Sequence, residues 1–244
     1  MDNTMLIGLT RQLTLRRQMD VVANNIANAN TQGFKAERMM LEPDTSMRAR
    51  HQDGPNRARF VDEWAMGRDF SQGAPTHTSR PLDLALQGDG FFMLETDAGE
   101  RFTRDGAFTL SPQGELVAGD GARVLDAGGA PIILDPAAGQ ISIGETGIVT
   151  QNGQQIAQVG VVRFADQGVL NKTGDNRYVA PEDAERVIED LPQVKQGFLE
   201  SSNVRPMLEI TSMMEVSRAY ASVSRMIKDT DELSRKAIDR LGRP

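Results

Sequence analysis

The stretch VVANNIANANTQGF, residues 21–34, poses the question that decides the fold. Val22, Ala23, Ile26 and Ala27 recur at helical spacing, as a face turned towards a core would. Asn24, Asn25, Asn28 and Asn30 crowd the same turns, although asparagine is a poor helix former. A helix is therefore expected to close here, with Asn30 and Gly33 ending it and reversing the chain. Its buried amides then need hydrogen-bond partners.

Towards the N-terminus, the helix extends from Thr4 to about Ala29 and carries two apolar stripes. Leu6, Leu9 and Leu13 make one, and Leu15, Met19, Val22 and Ile26 make an offset second. A helix of roughly 25 residues is about 38 Å long. Apolar residues on more than one side imply contact with more than one surface.

The other end of the chain mirrors this. Met213, Val216, Tyr220, Val223, Ile227, Thr230, Ser234, Ala237 and Leu241 alternate threes and fours, a heptad stripe that weakens at Thr230 and Ser234. Asp231 with Arg235 and Glu232 with Lys236 are acid-before-base pairs four apart, suited to a solvated face. Pro206 fits the first turn, after a start at Ser202 or Asn203.

Residues 82–200 read differently. Short apolar runs such as FFML, AFTL, ELVA and PIIL alternate with TDAGE, SPQGE, AGDG and DAGGA. This is the pattern of short antiparallel strands joined by tight turns, and Asn152-Gly153 marks a hairpin. No long helical pattern interrupts the block, which argues against a parallel α/β sheet. Residues 35–81, rich in Arg, Gly and Pro, read as an extended arm or linker. The expected fold is α+β with a mainly β core. Residues 1–34 and 201–244 supply helices that pair as a coiled-coil-like inner domain around a central antiparallel β domain.

Composition narrows the function. A net charge of -7 and 5% aromatic residues argue against a nucleic-acid binder. The absence of cysteine excludes disulfides, thiol catalysis and cysteine-ligated metals. The opening apolar residues MLIGL are soon followed by Arg11, Arg16 and Arg17, so no cleaved secretory signal is expected. No run of about 18 apolar residues is present, so no membrane insertion is expected.

Chemistry is sparse. His51 and His77, the two histidines, fall in the arm. Gly88-Asp89-Gly90 and Gly119-Asp120-Gly121 begin like dinucleotide fingerprints but lack a third glycine and a following helix, so both read as turns. Asp83, Asp89, Glu95 and Asp105 are candidates for a carboxylate pair, against the plainer reading of turn and surface acids. DAGG lacks the full spacing of a calcium loop, and Asn171 opens a sequon that arises often by chance. Neither a cofactor nor a metal is expected.

Four separated motifs, in order, carry a resemblance to a known family. ANNIANANTQGFKA, TSRPLDLALQGDGFFML, RFTRDGAFTLSPQGELV and GFLESSNVRPMLEITSMMEVSRAYAS resemble the motifs of flagellar rod and hook axial proteins. The motif positions here are Asn30, Thr31, Gly33 and Phe34; Leu82, Asp83, Gly88, Gly90, Phe91 and Phe92; Arg104, Asp105 and Gly106; and Ser202, Asn203, Val204 and Arg218.

The resemblance implies a structural subunit of the flagellar rod rather than an enzyme. Such a subunit would polymerise through its terminal helices and transmit torque from motor to hook. Its partners would be copies of itself, other rod proteins and neighbouring axial subunits. The flagellar type III export apparatus would deliver it to the periplasmic rod of the basal body. The resemblance favours a proximal place in the rod, with a distal one as the alternative. It gives the helix residues an assembly role: Leu6, Leu9, Leu13, Met19, Val22 and Ile26, then Met213, Val216, Tyr220, Val223, Ile227 and Leu241. Asn24, Asn25 and Asn28 are expected to pair with neighbouring subunits, where a charge would be costly to bury. Two other classes compete: a secreted β-rich peptidoglycan hydrolase, and a β-rich binding module that its helices dimerise.

Overall fold

The computed structural model describes residues 3–49 and 58–241; His51 lies outside them. In chain order the elements begin with helix α1 (Asn3–Ala27) and strands β1 (Glu37–Ala49), β2 (Ala58–Arg68), β3 (Pro75–His77), β4 (Leu84–Gln87), β5 (Phe91–Thr96) and β6 (Gly99–Thr103). They continue with β7 (Phe108–Leu110), β8 (Leu116–Ala118), β9 (Arg123–Val124), β10 (Ile141–Ile143), β11 (Ile148–Gln151), β12 (Gln154–Gln158) and β13 (Val161–Phe164). The last are β14 (Asn171–Gly174), β15 (Arg177–Val179), β16 (Arg186–Ile188), β17 (Gln193–Gln196), β18 (Phe198–Glu200) and helix α2 (Pro206–Leu241). The fold is α+β, mainly antiparallel strands with two long helices. None of the described helices is long and apolar enough to cross a membrane.

The chain forms two compact units. The first comprises residues 1–27, 37–68 and 205–244, and so holds α1, α2 and the β1–β2 ribbon. The arm expected over 35–81 carries strands: Glu37–Ala49 and Ala58–Arg68 pair as this ribbon, and 69–81 belong to the second unit with β3. A two-stranded ribbon buries little on its own and needs a packed neighbour. Here α1 lies against both strands. The ribbon's stability therefore comes from a distant segment, and its local sequence needs no strong apolar alternation. Glu37 opposes Arg68 in the register, and their side chains pair at 3.7 Å.

The second unit comprises residues 28–36 and 69–204. Its largest sheet runs β14-β15-β6-β5-β9-β8-β7, with β13 joining β5 to β16. Smaller sheets pair β10-β11-β12, β17-β4 and β18-β3. FFML, the most apolar run, is β5, and alternate residues serve two cores. Phe92 and Leu94 pack with Leu84, Phe108, Leu116 and Val124. Phe91 and Met93 pack with Phe102, Phe164 and Tyr178. A strand covered on both faces loses the polar-apolar alternation of a half-solvated one. Asn152 and Gly153 both take positive φ, 52° and 78°, in the turn joining β11 to β12, as a type I′ hairpin requires.

Candidate assembly faces and the junction of the motifs

Within the first unit, the two stripes of α1 have separate fates. Leu15 and Val22 are buried and Met19 and Ile26 are half-buried, so the second stripe faces protein. Leu6, Leu9 and Leu13 stay about half exposed, at 48%, 50% and 53%. Helix α2 divides in the same way. Val216 is buried, and Met213, Tyr220, Val223 and Ile227 are half-buried. Met207, Leu208, Ile210, Met214, Met226 and Leu233 are exposed, as is Arg218. Ser234, Ala237 and Leu241, the end of the heptad stripe, have side chains outside the described set. The helices touch where Gln12 Nε2 donates to Ser224 Oγ at 3.0 Å. At Gly8 a Cβ would stand 2.9 Å from Ile227 Cγ1, so the missing side chain lets the backbones approach.

Asn25, expected to meet a neighbouring subunit, is used inside the chain instead. It is 1% exposed. Its Oδ1 accepts the Glu37 N–H at 2.9 Å, and its Nδ2 donates to the Glu37 carbonyl at 2.8 Å. The amide thus occupies both backbone groups of the residue that starts β1, as a neighbouring strand would. It also donates to Glu209 Oε2 at 3.3 Å. Asn24 donates to Glu37 Oε2 at 3.1 Å. Asn28 holds the turn after α1: its carbonyl accepts the Thr31 N–H at 3.1 Å, and its Oδ1 accepts from Thr31 Oγ1 at 3.2 Å.

Helix α1 ends at Ala27, and Asn30 and Gly33 lie in the turn that follows; of the two, Gly33 takes a positive φ, at 63°. A Cβ on Gly33 would stand 2.4 Å from the Arg104 carbonyl carbon, so the position excludes a side chain. The start of α2 also differs from the expectation. Pro206 is its first residue, and the Arg205 carbonyl accepts from Leu208 and Glu209. Ser202 instead accepts the Val204 N–H in a short turn, at 3.2 Å. Asn203 is committed elsewhere, to the contacts described next.

Three of the sequence motifs meet in the second unit around one carboxylate. Glu200 Oε1 accepts from Lys35 Nζ at 2.6 Å and from the Gly73 N–H at 2.9 Å. Glu200 Oε2 accepts from Arg104 Nη1 at 3.2 Å. Lys35 also donates to the Ser71 carbonyl at 2.7 Å, and Arg104 Nη2 to the Gly88 carbonyl at 2.7 Å. Arg104 lies 5.4 Å from the centroid of the Phe91 ring. All three charged residues are at most 2% exposed. Burial pushes Lys35 below its ordinary range despite the pull of Glu200, and Arg104 moves the same way for the same reason.

Asn203 bonds two further segments. Its Oδ1 accepts the Ala36 N–H at 2.8 Å, and its Nδ2 donates to the Asp69 carbonyl at 2.7 Å and the Ser71 carbonyl at 3.1 Å. Phe34 and Val204 pack together with Ala36. Gly106 allows another close approach, because a Cβ there would overlap the Leu84 carbonyl oxygen at 1.7 Å. Gly88 and Gly90 take positive φ in the turn before β5, and Leu82 packs on the edge of the larger core. The charges of Lys35 and Glu200 were not singled out as a site from sequence. The signal for them was that each sits inside a motif with no other stated reason for a charge.

The four carboxylates considered for catalysis do not converge on a cleft. Asp83 is buried beside Arg80, with Nε at 3.5 Å. Asp105 caps the Ala107 N–H at 3.0 Å. Burial raises the Asp105 carboxyl above its usual range; the Ala107 hydrogen bond opposes this, the Asp83 charge adds to it and Arg177 opposes it. Glu95 pairs with Arg123 at the surface, and Asp89 is exposed. In the DAGG turn, Asp126 Oδ1 accepts the Gly128 and Ala130 N–H groups, both at 2.8 Å. No cluster of three metal-ligating side chains occurs among the described residues.

Three family models match the chain. They are described as Flagella basal body rod protein over residues 5–35, Flagellar hook protein FlgE/F/G D1 domain over 85–151, and Flagellar basal body rod FlgEFG protein C-terminal over 195–240. The flagellar basal-body rod protein FlgF of Caulobacter vibrioides is 46% identical over 244 residues, covering 100% of this chain and 99% of that protein. FlgF of Mesorhizobium japonicum is 36% identical over 244 residues, covering 99% of each. The flagellar basal-body rod protein FlgG of Bacillus subtilis is 33% identical over 254 residues, covering 95% of this chain and 96% of that protein. With full-length relatives at this identity and models matching both helices and the sheet between them, the chain belongs to the flagellar basal-body rod protein family, within which its likeness is to FlgF.

Proposed function

We propose that the chain is a rod subunit that polymerises through its terminal helices and transmits torque from motor to hook. It is a structural protein, not an enzyme. The observation that carries the reading is the row Leu6, Leu9 and Leu13, half exposed on a helix whose other stripe is buried at Leu15 and Val22 and half-buried at Met19 and Ile26. Exposed Met207, Leu208 and Ile210 give α2 a comparable face. Each leucine covered from half exposure contributes on the order of 1 kcal/mol, at roughly 25 cal/mol per Å². Contacts between unlike faces generate a helical array when their rotation does not close a ring, which is the arrangement this reading requires.

In this reading α1 and α2 pair as a coiled-coil-like inner part, supported by the half-buried heptad positions of α2 and by the Gly8–Ile227 approach. Met19, Val22, Ile26 and Val216 hold the pair within a subunit, and the exposed residues meet neighbours. The partners are copies of the chain, other rod proteins and adjoining axial subunits. The chain reaches the periplasmic rod through the type III export apparatus. We favour a proximal place over a distal one, a reading supported by the likeness to FlgF, whose relatives match at 46% and 36% against 33% for FlgG.

Because the chain has no cysteine, one introduced at Leu9 is a unique probe. A bifunctional thiol–amine cross-linker applied to isolated basal bodies should join it to an adjacent axial subunit. Recovery of only uncross-linked chain, with the cysteine fully reactive in the rod, would reject the helix face as an interface.

A further inference from the structure

In the second unit two buried cations, Lys35 and Arg104, share one buried carboxylate, Glu200. The cations come from early in the unit and the carboxylate from its last strand, β18. That strand pairs only with three-residue β3, in a two-stranded sheet separate from the large one. Beyond β18, Asn203 bonds Ala36, Asp69 and Ser71. The Gly33 N–H donates to the Glu200 carbonyl at 2.7 Å, and the Ser201 N–H to Ala74 at 2.9 Å. The segment is held by these polar bonds and by small apolar contacts of its own, Val204 on Phe34 and Phe198 on the His77 ring, and contributes no side chain to the two larger cores.

We infer that residues 198–204 form a latch that closes the second unit last and opens before its cores do, with the Glu200 carboxylate as its key. Without Glu200, Lys35 and Arg104 lose the one carboxylate that hydrogen-bonds them and keep only the weaker pull of Asp69 and Asp89, and burying a poorly compensated ion is far more costly than burying a matched pair. The site they line then stays hydrated until the segment docks. This device is independent of the polymerisation reading, since every residue in it lies within one unit.

Native-state hydrogen exchange on the full-length chain tests the proposal. In the unaltered protein, the Gly33, Ala36, Ser201 and Asn203 amides should exchange together through a shared opening. The Leu116, Leu125 and Ile132 amides, bonded inside the sheet, should need global unfolding. Glu200→Gln should speed the first group by on the order of 100-fold or more and leave the second nearly unchanged, because one partner of a buried charge cluster is lost. Lys35→Met, which leaves Arg104 and Glu200 matched, should speed the first group at least tenfold less than Glu200→Gln. Common exchange of both groups in the unaltered protein would overturn the latch. Equal acceleration by the two substitutions would overturn the role of the Glu200 charge. If Glu200→Gln fails to fold, the unaltered protein and Lys35→Met decide the matter: a separate latch opening that Lys35→Met leaves within tenfold supports the proposal, and a larger acceleration contradicts it.

Discussion

Asn25 and Gly33 are close in sequence, yet they constrain different units. The Asn25 amide satisfies both backbone groups of Glu37 in the first unit. Replacing it with alanine leaves a donor and an acceptor without those bonds, at about 1–3 kcal/mol. Urea denaturation of Asn25→Ala should show this loss, and a loss below about 0.5 kcal/mol would mean water replaces the amide freely. Gly33→Ala meets both a positive φ and the Arg104 backbone. It should destabilise the second unit by at least the roughly 1–3 kcal/mol of a strained backbone. Asp105 gives a pH signature. Its folded pKa is raised by burial above the ordinary value of 3.8. The folded chain therefore holds a proton that the unfolded chain releases, and stability falls as pH rises from the unfolded to the folded pKa. Asp105→Asn, which cannot ionise, should lack that fall, so its stability relative to the parent should improve across this window. A pH-independent difference between the two proteins, read from urea midpoints at pH 3–7, would contradict the assignment.

The legibility of the elements followed the reach of their interactions. Helices α1 and α2 were written in periodic stripes, and the β block in short apolar runs and its Asn-Gly turn, because these patterns act over a few residues. The β1–β2 ribbon was not legible, because its stability is supplied by α1 and by an amide 12 residues away. The junction around Glu200 joins positions 165 and 96 residues apart, a pairing that no local pattern encodes. The amides of α1 stand out in the sequence but their partners do not: Asn24 and Asn25 bond Glu37 at the start of β1, and Asn28 bonds Thr31 in the turn. At this scale the helix pair makes a prediction. Ile227→Asp places a carboxylate where Gly8 lets the helices approach. Circular dichroism should show lost helix, and assembly should fail. Retention of full helicity with normal assembly would reject this contact as a pairing site.

The two units divide the labour of the whole molecule. Residues 28–36 and 69–204 contain both apolar cores and the Glu200 junction, so they should fold without the helices. A chain ending at Val204 should unfold cooperatively, as followed by near-ultraviolet dichroism from Tyr178 in the core. Loss of that signal in native buffer would contradict the division. The first unit, in contrast, keeps apolar residues that it does not cover. The measurement that bears on this most directly is sedimentation velocity across a concentration series, comparing the parent with Leu6→Asp/Leu9→Asp/Leu13→Asp. The parent should pass from monomer to polydisperse polymer as concentration rises. The triple variant should remain a monomer with unchanged β-sheet dichroism at every concentration. Polymerisation of the variant at the parent's threshold concentration would contradict the claim that the uncovered leucines of α1 drive assembly.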